Sequence, residues 1–217
     1  MRALKFIPLL VVLALTAAGC ASHQGHSRAV YMLLDTSGTY TKELDKANGI
    51  INYLLATLTS GDSLAVARID SGSFSEKDII AKVTFDGRPS VANQQKRAFR
   101  TQVDEFLKNV NASGYTDISG GMLQASQYLT ETGAGNDYIL LFTDLKQDLK
   151  KGEKRDFQLP LQGIHVVALN VTKLRSDNVD PQEYLDRVDK WQKVVTQAGG
   201  SWRLMNDLNN LNRLLSD

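Results

Sequence analysis

Cysteine occurs once in this chain, at Cys20, so no disulfide can form within it. Histidine occurs three times, and none of the three suggests a metal or catalytic cluster. His23 and His26 sit in a polar stretch with no further ligand type beside them, and His165 lies inside an apolar run that reads as a packed strand. Charge of one sign is also missing: 25 basic residues face 24 acidic ones, for a formal net charge of +1. Without a basic surplus to neutralise phosphates, nucleic acid is a poor partner. No Gly-x-Ser-x-Gly elbow is present, which removes the usual frame for a serine hydrolase. No apolar run is long enough to span a bilayer; Phe6–Ala18, at 13 residues, falls short. Internal repeats and a second domain pattern are absent too.

That short run has a meaning of its own. "MRALK" is a basic leader, "FIPLLVVLALTAA" an apolar core, and small residues end it, which is the layout of a secretory signal. Residues 17–20, Ala-Ala-Gly-Cys, resemble the lipobox of bacterial lipoproteins. The resemblance implies a signal peptide over residues 1–19, an acylated (palmitate-bearing) Cys20 as the mature N-terminus, and a tether over residues 20–28. Several acyl chains, at about 0.8 kcal/mol per buried CH₂, would anchor the protein stably. Ala21 in place of aspartate resembles an outer-membrane sorting signal, so the expected location is the outer membrane, facing the periplasm. Losing Arg2 and Lys5 leaves 23 basic against 24 acidic residues, a mature charge of −1. The eight residues "ASHQGHSR" reach at most about 28 Å, which keeps the domain beyond them close to the membrane.

From residue 29 to 217 strand and helix patterns alternate in one domain. "AVYMLL" is a continuous apolar run, as in a strand buried on both faces. Helical spacing comes next over 41–58, then strands over 63–69 and 79–85, helices over 90–110 and 118–131, strands over 138–143 and 164–171, a helix over 181–199, and a last strand and closing helix to 215. The alternation predicts an α/β fold, a Rossmann-like doubly wound, mostly parallel sheet flanked by helices. In such sheets ligands bind beyond the carboxyl ends of the strands.

Three segments place aspartate and hydroxyls at such ends or at a helix start: "DTSGT" with Asp35, Ser37 and Thr39, "GYTDISGGM" with Thr116 and Asp117, and "LLFTDLKQD" with Asp144. These are hard oxygen donors, suited to Mg²⁺, Mn²⁺ or Ca²⁺ and poorly suited to zinc or copper. Alone, Asp35 and Ser37 serve equally well as caps for a helix beginning near Tyr40. Thr116 and Asp144, in order and in context, favour a cation.

The set resembles the von Willebrand factor type A (VWA) domain and its metal-ion-dependent adhesion site, Asp-x-Ser-x-Ser joined by a distant threonine and a distant aspartate. Over about residues 28–215, Asp35, Ser37 and Thr39 match the first motif, Thr116 the threonine and Asp144 the last aspartate. Leu145 stands where many members have glycine. The resemblance implies a six-stranded sheet with a divalent cation, Mg²⁺ first among the candidates, at its upper edge. It implies direct ligation by Ser37 and Thr39, Thr116 directly or through water, and Asp35 and Asp144 largely through water. One coordination position would stay open for an Asp or Glu side chain of a protein partner. Asp117 is expected to brace a neighbouring loop, in the second shell.

Two other readings compete: a VWA-like scaffold without metal, and an enzyme. "DTSGT" is similar to the Asp-x-Asp-x-Thr loop of aspartyl phosphatases, but Ser37 occupies the position of the general acid. A leaving group without a proton donor would stall that chemistry, so no catalysis is expected. The charged segment 146–156 is expected beside the metal face as a solvated loop or short helix.

Overall fold

The computed structural model describes residues 27–38, 40–70 and 75–215. The expected signal peptide, Cys20, His23, His26, nearly all of the tether and Thr39 lie outside the described residues.

A six-stranded sheet runs through the middle in the order β3-β2-β1-β4-β5-β6. Its strands are β1 (Arg28–Asp35), β2 (Ser63–Ile69), β3 (Ile79–Thr84), β4 (Asn136–Phe142), β5 (Ile164–Leu169) and β6 (Ser201–Met205). β3 pairs antiparallel with β2; every other neighbouring pair is parallel. β1 is central, and its residues from Ala29 to Asp35 are buried. Its alternating side chains feed two cores. Val30, Met32 and Leu34 point to one face, and Ala29, Tyr31 and Leu33 to the other.

The first face is covered by α1 (Leu44–Thr57) and α2 (Pro89–Asn109), the second by α3 (Ile118–Thr132) and α4 (Gln182–Gln197). Each helix buries a stripe at helical spacing, such as Leu44, Ala47, Ile50, Ile51, Leu54 and Leu55 of α1. A fully buried side chain of this size contributes about 1.5–3 kcal/mol, so this stripe is a main fastening of α1. Gly121 of α3 lies against Leu33: a Cβ there would come within 3.0 Å of a leucine methyl, so glycine sets the close approach of helix to sheet.

One segment departs from expectation. The closing stretch is a 3₁₀ helix, Leu208–Arg213, broken at Asn210 (φ −111°, ψ 46°). The Asp207 carboxylate accepts from the Asn209 backbone amide and from the Asn209 and Asn210 side chains, local bonds that compete with a helical ladder. Leu208, Leu211 and Leu215 still pack on the α1 face, and Leu214 is fully buried there. The crossover from β4 to β5 takes the loop form, one of the two expected for residues 146–156. Parallel neighbours are usually joined through a helix, yet residues 143–163 contain none. The segment lies as a strap between α3 and α4, with Leu145, Leu159 and Leu161 buried. Among the described residues, no helix is long and apolar enough to cross a membrane.

Candidate metal centre

The strand order reverses direction of growth between β1 and β4, and the crevice beyond their carboxyl ends is where an open α/β sheet binds ligands. Asp35 ends β1 there, and Thr143 and Asp144 come directly after β4. Asp35 is completely buried. Its Oδ1 accepts the Ser37 backbone amide at 2.9 Å, and its Oδ2 accepts the Thr143 hydroxyl at 2.6 Å. The carboxylate thus folds back on its own loop, and α1 begins only at Leu44, after Glu43. Capping of that helix by Asp35 is not its role. Burial pushes the Asp35 carboxyl above the usual range, and the bonds from Thr143 and Ser37 pull it partly back.

Asp144 is 3 % exposed. Its Oδ1 accepts the Lys146 amide at 2.8 Å. Burial raises its carboxyl to about 6, and the Asp35 charge adds to the rise. Arg187 is close enough to lower it somewhat, but that guanidinium donates to both oxygens of Asp177 at 2.8 Å and touches Asp144 only at its carbonyl, at 3.2 Å. Two buried carboxylates therefore share a crevice in which, among the described residues, no cationic side chain bonds to either of them.

Thr116 approaches from the loop before α3. Its backbone forms a two-way bridge with Asp148 of the strap, at 2.7 and 2.9 Å. The Ser113 amide donates to the Thr36 carbonyl at 2.8 Å, tying that loop to the end of β1. These backbone bonds bring the loops that carry Ser37, Thr116 and Asp144 next to one another. Among the described residues, the Thr116 hydroxyl and the Asp144 Oδ2 form no hydrogen bond within the chain. No group of three or more His, Cys, Asp or Glu side chains converges to hold a metal among the described residues. The donor set is two carboxylates plus hydroxyls, a hard oxygen set that fits Mg²⁺ or Mn²⁺.

Asp117 takes the bracing part. Its Oδ1 caps α3 by accepting the Gly120 amide at 2.9 Å, and its Oδ2 accepts Arg155 Nε and Nη2 at 2.9 and 2.7 Å. A Cβ on Gly120 would collide with that carboxylate. Tyr40 packs in the core, edge-on to Phe142 at 5.2 Å, with its hydroxyl donating to the Asn170 carbonyl at 2.7 Å. Tyr115 is exposed near the rim, and Trp202 packs partly buried on edge strand β6. His165 stacks on Tyr138 at 5.1 Å.

Sequence reasoning missed Thr143 and Arg155, and marked Leu145 only as standing where glycine is common. Thr143 was visible as a hydroxyl directly before Asp144 at the end of an apolar run. Leu145 adopts φ 64°, the left-handed region that glycine favours. Its side chain is buried, its amide donates to Thr143 Oγ1 at 3.1 Å, and its carbonyl accepts Trp191 Nε1 at 2.9 Å. These contacts hold a conformation that leucine alone would avoid. Arg155 carries no local signal that it pairs with Asp117, 38 positions away.

Neither the known family descriptions nor the curated proteins contain a match to this chain. Solved structures do resemble it. A von Willebrand factor type A protein from Catenulispora acidiphila superimposes with a TM-score of 0.54 at 15% identity, over 86% of this chain and 40% of that one. The pilus adhesin SpaC from Lactobacillus rhamnosus GG, in its open conformation, gives 0.50 at 11% identity, over 89% of this chain and 29% of that one. This chain thus spans less than half of either structure. At such identity the likeness establishes the fold: a VWA-like α/β domain with a mixed, mostly parallel six-stranded sheet.

Proposed function

We propose that this chain is a lipid-anchored, non-catalytic module that binds a protein partner through a divalent cation. The observation that carries the reading is the pair of buried carboxylates, Asp35 and Asp144, at the reversal of strand order, with no cationic side chain bonded to either among the described residues. Burying like charges together is costly unless a cation joins them. Ser37, Thr39 and Thr116 would supply hydroxyl ligands, with Asp35 and Asp144 the balancing charge, and Mg²⁺ is the first candidate. A cation held largely by neutral hydroxyls keeps enough charge to attract an Asp or Glu of the partner. Thr143 fixes the Asp35 carboxylate, and Lys146's amide fixes that of Asp144. The adhesin role of SpaC, which shares the fold, supports a binding module.

The anchor is acylated Cys20 at the outer membrane, facing the periplasm. Arg28 and Asp35 occupy opposite ends of β1, so the cation face would point away from that membrane. Mg²⁺ or Mn²⁺ should raise the melting temperature of the wild type and leave Asp35→Asn unmoved, and EDTA should reverse the rise. If wild type and variant respond alike, the cation reading fails and the metal-free scaffold takes its place.

A further inference from the structure

The strap gives the rim of the metal centre a surplus of positive charge. Lys146, Lys150, Lys151 and Lys154 are all exposed, and none forms an ion pair among the described residues. The fifth basic residue, Arg155, is committed to Asp117 and Glu153, which leaves Asp148 and Asp156 as the exposed acids facing four lysines. The strap is also held in place. Asp148 bridges to Thr116 through two backbone bonds, and Gln147 Oε1 accepts the Ser119 amide at 2.8 Å and hydroxyl at 2.9 Å. Arg155 grips Asp117, and Trp191 donates to the Leu145 carbonyl. The lysines thus project from a fixed backbone that begins at Asp144 itself, and ordering that backbone costs nothing further when a partner arrives.

We propose that the strap is a docking surface for an acidic protein segment, which lays its carboxylates along Lys146–Lys154 beside the cation. The register of the segment rests on the cation reading above: one carboxylate completes the cation's coordination and its neighbours meet the lysines. Charge complementarity selects the occupant. A nucleic acid is disfavoured by the chain's near-neutral total charge. An anionic membrane surface is disfavoured by position, because the lysines stand at the carboxyl end of the sheet and the chain enters β1 at the other end, about 23 Å away along eight residues. Rim charges of this kind act over a Debye length of about 8–10 Å, so they steer the segment and their effect fades with salt.

The test uses the full chain, a fluorescein-labelled hexaglutamate peptide, a hexaglutamine control and vesicles of phosphatidylglycerol. Replacing Lys150, Lys151 and Lys154 together by alanine should weaken hexaglutamate binding about tenfold or more and flatten its salt dependence. The same variant should keep the wild-type Mg²⁺ thermal shift, which shows that the fold and the cation site are intact. Ser37→Ala should lose that shift yet retain weak, salt-sensitive, lysine-dependent peptide binding. Absence of any Mg²⁺ shift in the wild type, with lysine-dependent binding preserved, would refute the cation reading and leave the strap proposal standing. Equal hexaglutamate affinity in the triple variant and wild type overturns the proposal, as does equal binding of hexaglutamine or tighter binding to the vesicles.

Discussion

Leu145 sets an unusual condition on substitution. At φ 64° an L-residue is strained, and this leucine is kept there by its buried side chain and two hydrogen bonds. Leu145→Ala keeps the strain and loses the packing, at a cost of about 2–5 kcal/mol. Leu145→Gly loses the same packing but relieves the strain, so urea titration should find it as stable as the alanine variant or more so, by up to about 1 kcal/mol. An alanine variant clearly more stable than the glycine variant would contradict this account of the turn. At the other end of β4, burial raises the Asp137 carboxyl to about 6, with His165 opposing the rise, and its Oδ1 is buried without a partner. The folded state therefore holds this proton more tightly than the unfolded chain. Its contribution to stability is full below the ordinary value near 3.8 and is lost as pH rises to about 6. Asp137→Asn should accordingly stabilise the protein at pH 7 by about 1 kcal/mol, allowing for partial exposure, with the gain vanishing towards pH 4. Melting temperatures across that range decide it; a gain independent of pH would rule out titration as the cause.

At the scale of elements, the strap does what a crossover helix does elsewhere, and its hold on the site passes through Arg155. That guanidinium donates twice to one oxygen of a fully buried Asp117, whose other oxygen caps α3. Arg155→Ala would leave a buried carboxylate uncompensated at the helix start, a loss of about 3–5 kcal/mol. Chemical denaturation should register it, and a loss below about 1 kcal/mol would mean that the strap is held mainly by its leucines. The four helices were legible from apolar spacing at period 3.6, and the central strands from short continuous apolar runs that a sheet buried on both faces demands. The sequence drew attention to Asp35 and Asp144 as carboxylates directly beyond buried strands, and to Thr116 as a hydroxyl just before a helix start. The strap was legible as a loop or short helix but not in its packing, which comes from contacts such as Arg155 with Asp117 and Trp191 with Leu145 that join residues far apart and leave no periodic trace. The closing 3₁₀ segment was misread for a related reason. Its leucines keep helical spacing, and only the Asp207 side-chain bonds divert the backbone.

Considered whole, the molecule has two cores separated by one sheet, and the last ten described residues close the first of them. Leu208, Leu211, Leu214 and Leu215 cover the α1 side of β4 and β5. Ending the chain after Met205 should lower the melting temperature by about 10 °C, because the fully buried Leu214 and the partly buried Leu208, Leu211 and Leu215 are lost together, the first at about 2 kcal/mol and the others at less. An unchanged melting curve would show that this cover is dispensable. The placement of β1 has a mechanical consequence. Arg28 enters the strand under a clamp, its amide and guanidinium both donating to Asp62 at 2.8 Å, and Asp35 leaves it at the candidate site. Under the proposed function, tension between an anchored N-terminus and a captured partner would run lengthwise along this one strand. The ladders to β2 and β4 flank it on both sides and would be loaded in shear, many bonds at once, rather than peeled one by one. A module pulled in that way resists where a sheet is strongest.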